Sequence, residues 1–284
     1  MASITSLKNE NPDAVYEAFA QAFNDYEIQL SKEEFFRMMS RRGFDPSLSF
    51  AAYENDKIVA FTLNGIGEFN GIKTAYDTGT GTIKEYRGKG LASEIFKYSI
   101  PYLKSSGIEQ YLLEVLQHNE KAVSIYKKLG FEMSREFNYF VKDNSELKFG
   151  TKQLNQGYQV IDIDLNNTIS MLEFCDFNPS WQNSFEAISR NPLDFKAIGI
   201  TDSERLIGYC IFEPNSGDIS QIAVDRTHRR KGVGSHLLSQ VLKNNKHNSI
   251  KIINTDVSCT SITNFLKANT IEPIGKQFEM IKKL

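Results

Sequence analysis

The run Thr82-Ile-Lys-Glu-Tyr-Arg-Gly-Lys-Gly-Leu-Ala92 has a counterpart later in the chain, Val224-Asp-Arg-Thr-His-Arg-Arg-Lys-Gly-Val-Gly234. Placing Arg87 on Arg229 gives an offset of 142 residues, which is half of the 284-residue chain. Self-similarity at a fixed offset is the signature of a duplicated structural unit. The sequence therefore predicts two related domains, each built around one of these glycine-rich runs.

The segments around each run predict the same order of elements in both halves. Before each run stand two apolar segments separated by a polar turn, 50–53 and 58–61 in the first half and 197–200 and 206–209 in the second. Such pairs are typical of β-hairpins. After each run the apolar residues recur at helical spacing, and a further strand and helix follow. We predict an α/β (α+β) fold of two tandem domains, each a mixed, mostly antiparallel central sheet flanked by helices.

The domain boundaries follow from length and polarity. A chain of 284 residues exceeds the usual size of one compact domain. We predict an N-terminal domain over residues 1–142 and a C-terminal domain over residues 158–284. Residues 143–157 are polar with little apolar periodicity, which is typical of a linker.

The charge of the chain argues against one class of function. The formal net charge is -2, with 33 lysine and arginine residues against 35 aspartate and glutamate residues. A protein that binds a nucleic-acid backbone normally carries a basic excess or a basic stripe. We therefore expect no nucleic-acid partner.

Cysteine, histidine and hydropathy patterns narrow the class further. The cysteines Cys175, Cys210 and Cys259 form no CxxC pair, which supports neither a disulfide framework nor a zinc site. The four histidines stand apart from obvious metal partners, so we expect no metal site. The chain has no run of about 18 apolar residues and no apolar core of a signal peptide near its start. We expect a cytoplasmic protein without membrane contact, as a monomer or a homodimer.

Glycine-rich runs between a strand and a helix have a physical use. Glycine leaves the backbone without Cβ atoms, so several N–H groups can converge on an anion at the helix N-terminus, where the helix dipole also favours negative charge. Nearby cations, here Arg87 and Lys89 or Arg229 and Lys231, would add specificity for phosphate. A diphosphate is the natural ligand, although a plain rigid turn is the alternative interpretation.

Two segments of the first half stand out together. One is Tyr86-Arg-Gly-Lys-Gly-Leu-Ala92, and the other is Leu113-Glu-Val-Leu-Gln-His-Asn-Glu-Lys-Ala-Val-Ser-Ile-Tyr-Lys-Lys-Leu-Gly-Phe131. They resemble the two signature segments of the GNAT superfamily of acetyl-CoA-dependent N-acetyltransferases. In that family the first segment holds the diphosphate of acetyl-CoA, and the second lines the pantetheine arm and the thioester. The resemblance covers nearly all of residues 1–140 and implies acetyl-CoA (coenzyme A) as the cofactor.

The resemblance nominates a set of cofactor-binding residues in each half. In the first half they are Thr82, Ile83, Arg87, Gly88, Lys89, Gly90, Leu91, Ala92 and Asn119. In the second half they are Val224, Arg229, Arg230, Lys231, Gly232, Val233 and Gly234. Asn119 also has the position of a helix N-cap, and the two roles are compatible.

Two residues of the first half are candidates for proton transfer. In the enzymes that this chain resembles, a tyrosine at the position of Tyr126 donates a proton to the leaving sulfur; the alternative is an aromatic side chain that only packs. Glu114 stands twelve residues earlier between apolar neighbours, and such burial would suit it to accept a proton from an amine. The resemblance to protein N-terminal acetyltransferases implies the same role, although many relatives carry this glutamate structurally.

The second half departs from the pattern at both positions. Aligning Phe265 on Tyr126 places Ile253 at the position of Glu114 and leaves neither the hydroxyl nor the carboxylate. We therefore predict that the first domain is catalytic and the second degenerate or accessory. For the acceptor side, Asp77 and Tyr76 are candidate substrate residues, with a solvated carboxylate at a strand end as the alternative for Asp77.

The function predicted from these features is transfer of an acetyl group from acetyl-CoA to a primary amine of a small molecule or peptide. Two alternatives stay open: a catalytically silent acyl-CoA-binding or sensor protein, and a chain in which both domains are active. The identity of the acceptor amine and of the general base does not follow from the sequence.

Overall fold

The computed structural model describes residues 2–25, 29–147, 154–165 and 169–284. It divides into two compact units. Unit 1 comprises Met1–Ser134 together with Glu279–Leu284, and unit 2 comprises Arg135–Phe278. Residues 148–153 of the predicted linker lie outside the described residues, and the boundaries 1–142 and 158–284 stay a prediction about the extent of the two repeats.

The helices and strands alternate along the chain as follows. The first half contains β1 (Ser3–Ser6), α1 (Pro12–Ala22), α2 (Lys32–Arg41), β2 (Phe50–Glu54), β3 (Lys57–Phe69), β4 (Ile72–Thr82), α3 (Leu91–Ser105), β5 (Gln110–Leu116), α4 (Glu120–Lys128) and β6 (Glu132–Asp143). The second half contains β7 (Tyr158–Asp162), α5 (Phe185–Arg190), β8 (Lys196–Asp202), β9 (Arg205–Glu213), β10 (Asp218–Val224), α6 (Val233–Asn244), β11 (Ser249–Asp256), α7 (Thr260–Ala268) and β12 (Pro273–Lys283). Short 3-10 turns join several of them.

Each unit is organised by one mixed sheet. In unit 1 the strand order is β1-β2-β3-β4-β5, and the end of β12 follows β5. In unit 2 the order is β6-β11-β10-β9-β8-β7. The contacts β4–β5 and β10–β11 are parallel, whereas the other described pairs are antiparallel. The predicted fold, two domains with mostly antiparallel sheets and flanking helices, is confirmed.

Both predicted hairpins form, and their turns share one backbone conformation. Asn55 and Asp56 between β2 and β3 have φ of 51° and 58°, and Ser203 and Glu204 between β8 and β9 have φ of 48° and 69°. Two successive residues of positive φ define the type I′ turn, whose twist matches that of paired antiparallel strands. The β2–β3 hairpin of unit 1 and the β8–β9 hairpin of unit 2 therefore have the same type of turn.

Local sequence signals explain where the helices of unit 1 begin. Helix α2 starts with a capping box, because the Ser31 hydroxyl accepts from the Glu34 N–H while the Glu34 carboxylate accepts from the Ser31 N–H. Helix α1 has Asn11 as its N-cap and Pro12 in its first turn. Aromatic side chains from both helices pack on the sheet, and Phe19, Phe35 and Phe61 form part of that core.

The parallel strand pair of each unit opens after a short stretch of pairing. β4 pairs with β5 from Thr74↔Gln110 to Tyr76↔Leu112, although β4 continues to Thr82 and β5 to Leu116. In unit 2 the pairing of β10 with β11 consists of Asp218↔Lys251. Beyond these pairs the strands diverge, and the divergence creates the opening at which the candidate residues lie.

Over the described part of the chain, no helix combines the length and the apolar character that crossing a membrane requires.

Candidate active site

The opening between β4 and β5 brings together three of the predicted residues. Asp77 follows Tyr76, the last residue of β4 that pairs with β5, and Glu114 lies on β5 two residues beyond Leu112. Tyr126 reaches the same place from α4. A β-bulge at Thr78 separates the pairs Asn64↔Asp77 and Leu63↔Gly79, and it changes the local direction of β4.

The Asp77 carboxylate is the centre of a hydrogen-bonded chain. The Tyr126 hydroxyl donates to Asp77 Oδ2 at 3.1 Å. The Thr80 hydroxyl lies 2.9 Å from Oδ2 and 3.0 Å from Oδ1 of the same carboxylate. Asp77, a predicted substrate anchor, is thus occupied by hydroxyl groups of the protein itself, so a cationic substrate would have to displace them.

The second carboxylate of the opening pairs with the other substrate candidate. The Tyr76 hydroxyl donates to Glu114 Oε2 at 2.9 Å. Tyr76 is only 2% exposed, whereas Glu114 is half-buried. Tyr76 therefore acts on the opening through its hydroxyl group and does not form an exposed wall for a substrate.

Burial changes the proton affinity of several groups here. Desolvation raises the pKa of Asp77 to about 6, although the hydrogen bonds from Thr80 and Tyr126 and the positive charge of Arg42 act in the opposite direction. Desolvation also raises the pKa of Tyr76 well above its usual value, with the Glu114 charge as a further cause. A carboxyl group that titrates near neutral pH is suited to proton transfer.

The glycine-rich run of unit 1 has the backbone that an anion site requires. Gly88 and Gly90 have φ of 81° and 82°, and Gly90 is the N-cap of α3. A Cβ atom added at either glycine would meet no atom within 4 Å. Glycine at these two positions permits the left-handed backbone conformation. The space above the run is open to a ligand that approaches the main chain.

Arg87 has a structural partner that the sequence reasoning missed. Its guanidinium group forms a two-point ion pair with Asp25 at 2.6 and 2.8 Å and donates to the carbonyl oxygens of Ala22 and Thr82. These contacts tie the run to the C-terminal end of α1. The Arg87 side chain thus holds the loop in place, and direct phosphate binding by Arg87 stays a prediction.

Unit 2 has an equivalent ion pair between its own residues. Arg229 pairs with Asp176 at 2.9 and 3.0 Å, and its Nε donates to the carbonyl oxygen of Val224. A sequence signal for both aspartates exists, because Asp25 and Asp176 each end a Phe-x-Asp triplet, Phe23-Asn-Asp25 and Phe174-Cys-Asp176. The triplet precedes the arginine that it holds by 62 residues in unit 1 and by 53 residues in unit 2.

The remaining predicted cofactor residues divide by what their side chains do. The side chains of Leu91 and Val233 are buried in the cores of their units, so only main-chain atoms of these residues are available to a ligand. The Ile83 N–H donates to the carbonyl oxygen of Val59, so this amide is used in pairing with β3, and cofactor binding by Ile83 stays a prediction. Asn119 accepts from the Ala122 N–H and is the predicted N-cap of α4.

The remaining predicted residues of the two glycine-rich runs differ in how far their side chains are exposed. Lys89 is exposed, with its ammonium group 4.4 Å from the Tyr86 ring centroid, and Ala92 and Thr82 are half-buried. Arg230 and Lys231 are exposed, and Arg230 has a positive φ of 64° at the position of Gly88. Gly232 has φ of 89° and is the N-cap of α6, as Gly90 is for α3.

Unit 2 contains a cavity of about 1180 Å³ beside its glycine-rich run. Its lining comes from the diverging strands β10 and β11, from the run itself and from helices α6 and α7. A Cβ atom at Gly234 would lie 2.9 Å from the Phe265 ring, so this glycine makes room for a side chain of the same unit. Uncharged polar groups form part of its wall, where the Tyr209 hydroxyl donates to Gln221 Oε1 at 2.8 Å, and charged side chains such as Asp176, Arg229 and Lys243 line it as well.

Hydrogen bonds at the ends of α4 and α7 correct the sequence alignment by one residue. The Phe131 N–H donates to the Tyr126 carbonyl, and the Ile271 N–H donates to the Leu266 carbonyl in the same turn. Leu266, not Phe265, therefore occupies the Tyr126 position. The same offset of 140 applies before the helix, because the Asn119 N–H donates to Leu116 as the Cys259 N–H donates to Asp256. In β5 and β11 the offset differs, because Tyr76 pairs with Leu112 as Asp218 pairs with Lys251, and Ile253 therefore stands at the Glu114 position, as the sequence alignment predicted. The bulge at Asn254, with φ of 59°, accounts for the change of offset before the helix.

The bulge of β4 also has a counterpart. In β10 the pairs Ile219↔Phe212 and Gln221↔Ile211 leave Ser220 as the extra residue, 142 residues after Thr78. Ile219 accordingly occupies the position of Asp77. Unit 2 lacks the two carboxylates and the tyrosine hydroxyl of the unit 1 opening, and it carries an aliphatic side chain at each position, Ile219, Ile253 and Leu266.

The comparison with protein families decides the relationship. The model of the acetyltransferase (GNAT) family matches residues 13–131 and again residues 164–261. This chain belongs to the GNAT family. It is an N-acetyltransferase with two GNAT regions in tandem, and GNAT proteins use acetyl-CoA as the acetyl donor.

Two relatives illustrate the sequence similarity. N-alpha-acetyltransferase 30 of Schizosaccharomyces pombe is 28% identical over 106 residues, which cover 37% of this chain and 71% of that protein. N-alpha-acetyltransferase MAK3 of Arabidopsis thaliana is 32% identical over 97 residues, which cover 34% of this chain and 51% of that protein. The match therefore spans about half the length of the plant relative.

Solved structures share the fold of the whole tandem acetyltransferase. A tandem GNAT protein from the clavulanic acid biosynthesis pathway superposes with a TM-score of 0.75 at 12% identity and covers 100% of this chain and 98% of its own. A GCN5-related N-acetyltransferase from Sphaerobacter thermophilus superposes with a TM-score of 0.71 at 15% identity, with coverages of 99% and 95%. At these identities the likeness concerns the fold alone.

Proposed function

We propose that unit 1 transfers the acetyl group of acetyl-CoA to a primary amine of a small molecule or peptide, with Tyr126 as the acid that protonates the departing sulfur. The observation that carries the proposal is the meeting of Asp77, Glu114 and Tyr126 at the opening between β4 and β5. The equivalent positions in unit 2 hold Ile219, Ile253 and Leu266, which can neither donate nor accept a catalytic proton.

The residues of unit 1 fit the cofactor that the family uses. The open main chain at Gly88 and Gly90, the N-terminus of α3 and the exposed Lys89 suit the diphosphate group. Asn119 and the end of β4 suit the pantetheine arm, through side-chain and main-chain polar groups. When bound, acetyl-CoA supplies the activated acetyl group; the protein supplies orientation and proton transfer.

Glu114 is the proposed acceptor for the first proton that the substrate must lose. A primary amine is largely protonated at neutral pH and becomes a nucleophile only as the neutral amine. Glu114 takes that proton directly or through a water molecule, while the Tyr76 hydroxyl holds the carboxylate in place. Tyr126 then donates the proton that the departing sulfur requires.

Peptide α-amines are the first acceptor class to test. The two relatives described above are named as N-alpha-acetyltransferases. The three free thiols, Cys175, Cys210 and Cys259, support a reducing compartment such as the cytoplasm. We assign no nucleic-acid or membrane partner and treat the protein as a monomer or a homodimer.

Unit 2 is proposed as an accessory site for an acyl-CoA-type ligand. The cavity of about 1180 Å³, the left-handed Gly232 and the exposed Arg230 and Lys231 support binding at that run. The loss of all three proton-handling groups argues against turnover there. Activity of both units is the alternative, and it predicts acetyl transfer that survives inactivation of unit 1.

The substitution Tyr126→Phe tests the proposal. Removing a positioned acid lowers a rate by about 10²–10⁴-fold, so we expect kcat to fall in that range with the KM for acetyl-CoA little changed. The readout is CoA release with a panel of peptides with free N-termini, peptides with a free lysine alone, and small amines. Tyr98→Phe, at an exposed site on α3, is the matched control and leaves kcat unchanged. Full activity of the Tyr126→Phe protein on every accepted amine contradicts the assignment.

A further inference from the structure

The hydrogen bond between Tyr126 and Asp77 has a direction that matters for the reaction. A phenol carries one proton, and an ionised carboxylate can only accept. In the resting site the Tyr126 proton therefore points at Asp77 Oδ2, 3.1 Å away, and the lone pairs of the phenol oxygen point elsewhere. With its own proton directed at Asp77, the Tyr126 oxygen can accept a proton through a lone pair before it donates one.

We propose that Tyr126 and Asp77 form a two-step shuttle that carries a proton from the attacking amine nitrogen to the departing sulfur. The inference rests on the proposed function, because it takes Tyr126 as the proton donor to sulfur. Asp77 acts through Tyr126 and touches neither substrate. Its role is to store one proton between the two steps.

The two steps return Tyr126 and Asp77 to their starting protonation states. An ammonium substrate loses its first proton to Glu114, which passes it to solvent, and the neutral amine attacks. As the N–C bond forms, the nitrogen gives its second proton to the Tyr126 oxygen, and the original phenol proton moves to Asp77. As the C–S bond breaks, Tyr126 gives its proton to sulfur and Asp77 returns its own to Tyr126. Both residues end as they began, and one proton is released in total.

The surroundings of Asp77 suit it to hold a proton briefly. Its pKa is raised to about 6 by burial, closer to neutrality than the ordinary value of 3.8, so the protonated form costs little at neutral pH. The Thr80 hydroxyl and the Arg42 charge prevent a larger rise. The other titratable groups near Asp77 are the Glu114 carboxyl group, which the Tyr76 hydroxyl holds, and the phenols of Tyr76, Tyr111 and Tyr126, which carry no charge at neutral pH.

A double-mutant cycle on the full-length protein tests the shuttle. Asp77→Asn keeps the shape of the side chain but cannot store a proton, and we expect kcat to fall by about 10–100-fold, with the KM for acetyl-CoA within about twofold of the wild type. Because Asp77 acts through Tyr126, the Asp77→Asn/Tyr126→Phe double variant should be no slower than Tyr126→Phe alone. An independent, multiplicative loss in the double variant would overturn the proposal.

The pH dependence gives a second readout that a merely structural role does not change. The shuttle needs ionised Asp77 at the start, so kcat/KM of the wild type should show an ionisation near pH 6 below which activity falls. That ionisation should be absent in Asp77→Asn. In Thr80→Val it should move to higher pH, because the Thr80 hydrogen bond lowers the pKa of Asp77. An unmoved profile in both variants contradicts the shuttle.

The two proposals fail in distinguishable ways. If Tyr126→Phe retains full activity, the acid assignment fails and the shuttle fails with it. If Tyr126→Phe is slow but Asp77→Asn keeps the wild-type kcat and the wild-type ionisation, only the shuttle fails. Thermal unfolding of each variant identifies a folding defect, and Thr80→Val, which keeps the carboxylate, supplies the pH test if Asp77→Asn does not fold.

Discussion

At the scale of single residues, the Asp77 carboxylate lowers the stability of the folded protein at neutral pH. Burial raises its pKa from 3.8 to about 6, which means that the folded state disfavours the charged form. The stabilising contribution of a group with a raised pKa is present below about pH 4 and is lost as the pH rises through about 6. Function and stability are thus opposed at this residue.

We predict that Asp77→Asn stabilises the protein at pH 8 but not at pH 4. The amide carries no charge to desolvate, so the free energy of unfolding should rise by about 1–2 kcal/mol at pH 8, less than the full linkage value because the side chain is partly exposed. Urea unfolding of both proteins at the two pH values measures the difference. Equal stabilisation at pH 4 and pH 8 would show that the charge is not its cause.

At the scale of elements, the two strand-to-helix runs are near copies in backbone and in their supporting ion pairs. Gly90 and Gly232 both begin a helix in the left-handed conformation, and Arg87 and Arg229 both reach an aspartate of a Phe-x-Asp triplet. What distinguishes the units is the chemistry that the neighbouring elements add. The end of β4, β5 and α4 carry proton-handling groups, whereas β10, β11 and α7 do not.

Matched substitutions in the two runs identify the working unit. Gly90→Val and Gly232→Val each force a β-branched residue into the left-handed region, at a cost of roughly 1–2 kcal/mol in local backbone energy, and each crowds the anion site. We expect Gly90→Val to abolish acetyl transfer and Gly232→Val to leave kcat unchanged. Initial rates at saturating and limiting acetyl-CoA measure both effects. Loss of activity in Gly232→Val alone would assign turnover to unit 2.

At the scale of the whole molecule, unit 1 depends on the last residues of the chain. Ser134 donates to the main-chain and side-chain oxygens of Glu279, and the Leu284 N–H donates to the Glu109 carbonyl. Glu279 and Met280 are buried. The N-terminal half is therefore not a complete folding unit by itself.

Deletion of residues 279–284 should destabilise unit 1 even though it removes no residue of the proposed active site. Loss of the buried Met280 side chain alone costs about 2–5 kcal/mol in comparable cores. Hydrogen exchange of the β5 amides, with those of β9 as an internal reference, measures the effect, and acetyl transfer should fall in parallel. Met280→Ala is the milder variant. Unchanged exchange in β5 after the deletion contradicts this dependence.

The features that depend on residues close together in the chain follow from the amino-acid sequence alone. Gly88, Gly90 and Gly232 permit positive φ just before a helix, polar pairs such as Asn55-Asp56 favour a tight hairpin turn, and apolar spacing favours helices after each run. Because these signals act over a few residues and occur twice, the duplicated GNAT fold follows from them.

Contacts between groups that are far apart in the chain depend on the three-dimensional fold. Tyr126 and Asp77 are 49 residues apart, and Arg87 and Asp25 are 62 residues apart. Their contacts depend on where a strand bulges and where two strands diverge, which local periodicity does not encode. The same holds for residues 279–284, whose place in unit 1 is set by long-range strand pairing. Interactions between residues close in the chain thus specify the glycine-rich runs, whereas packing between distant residues specifies the proposed proton-transfer site.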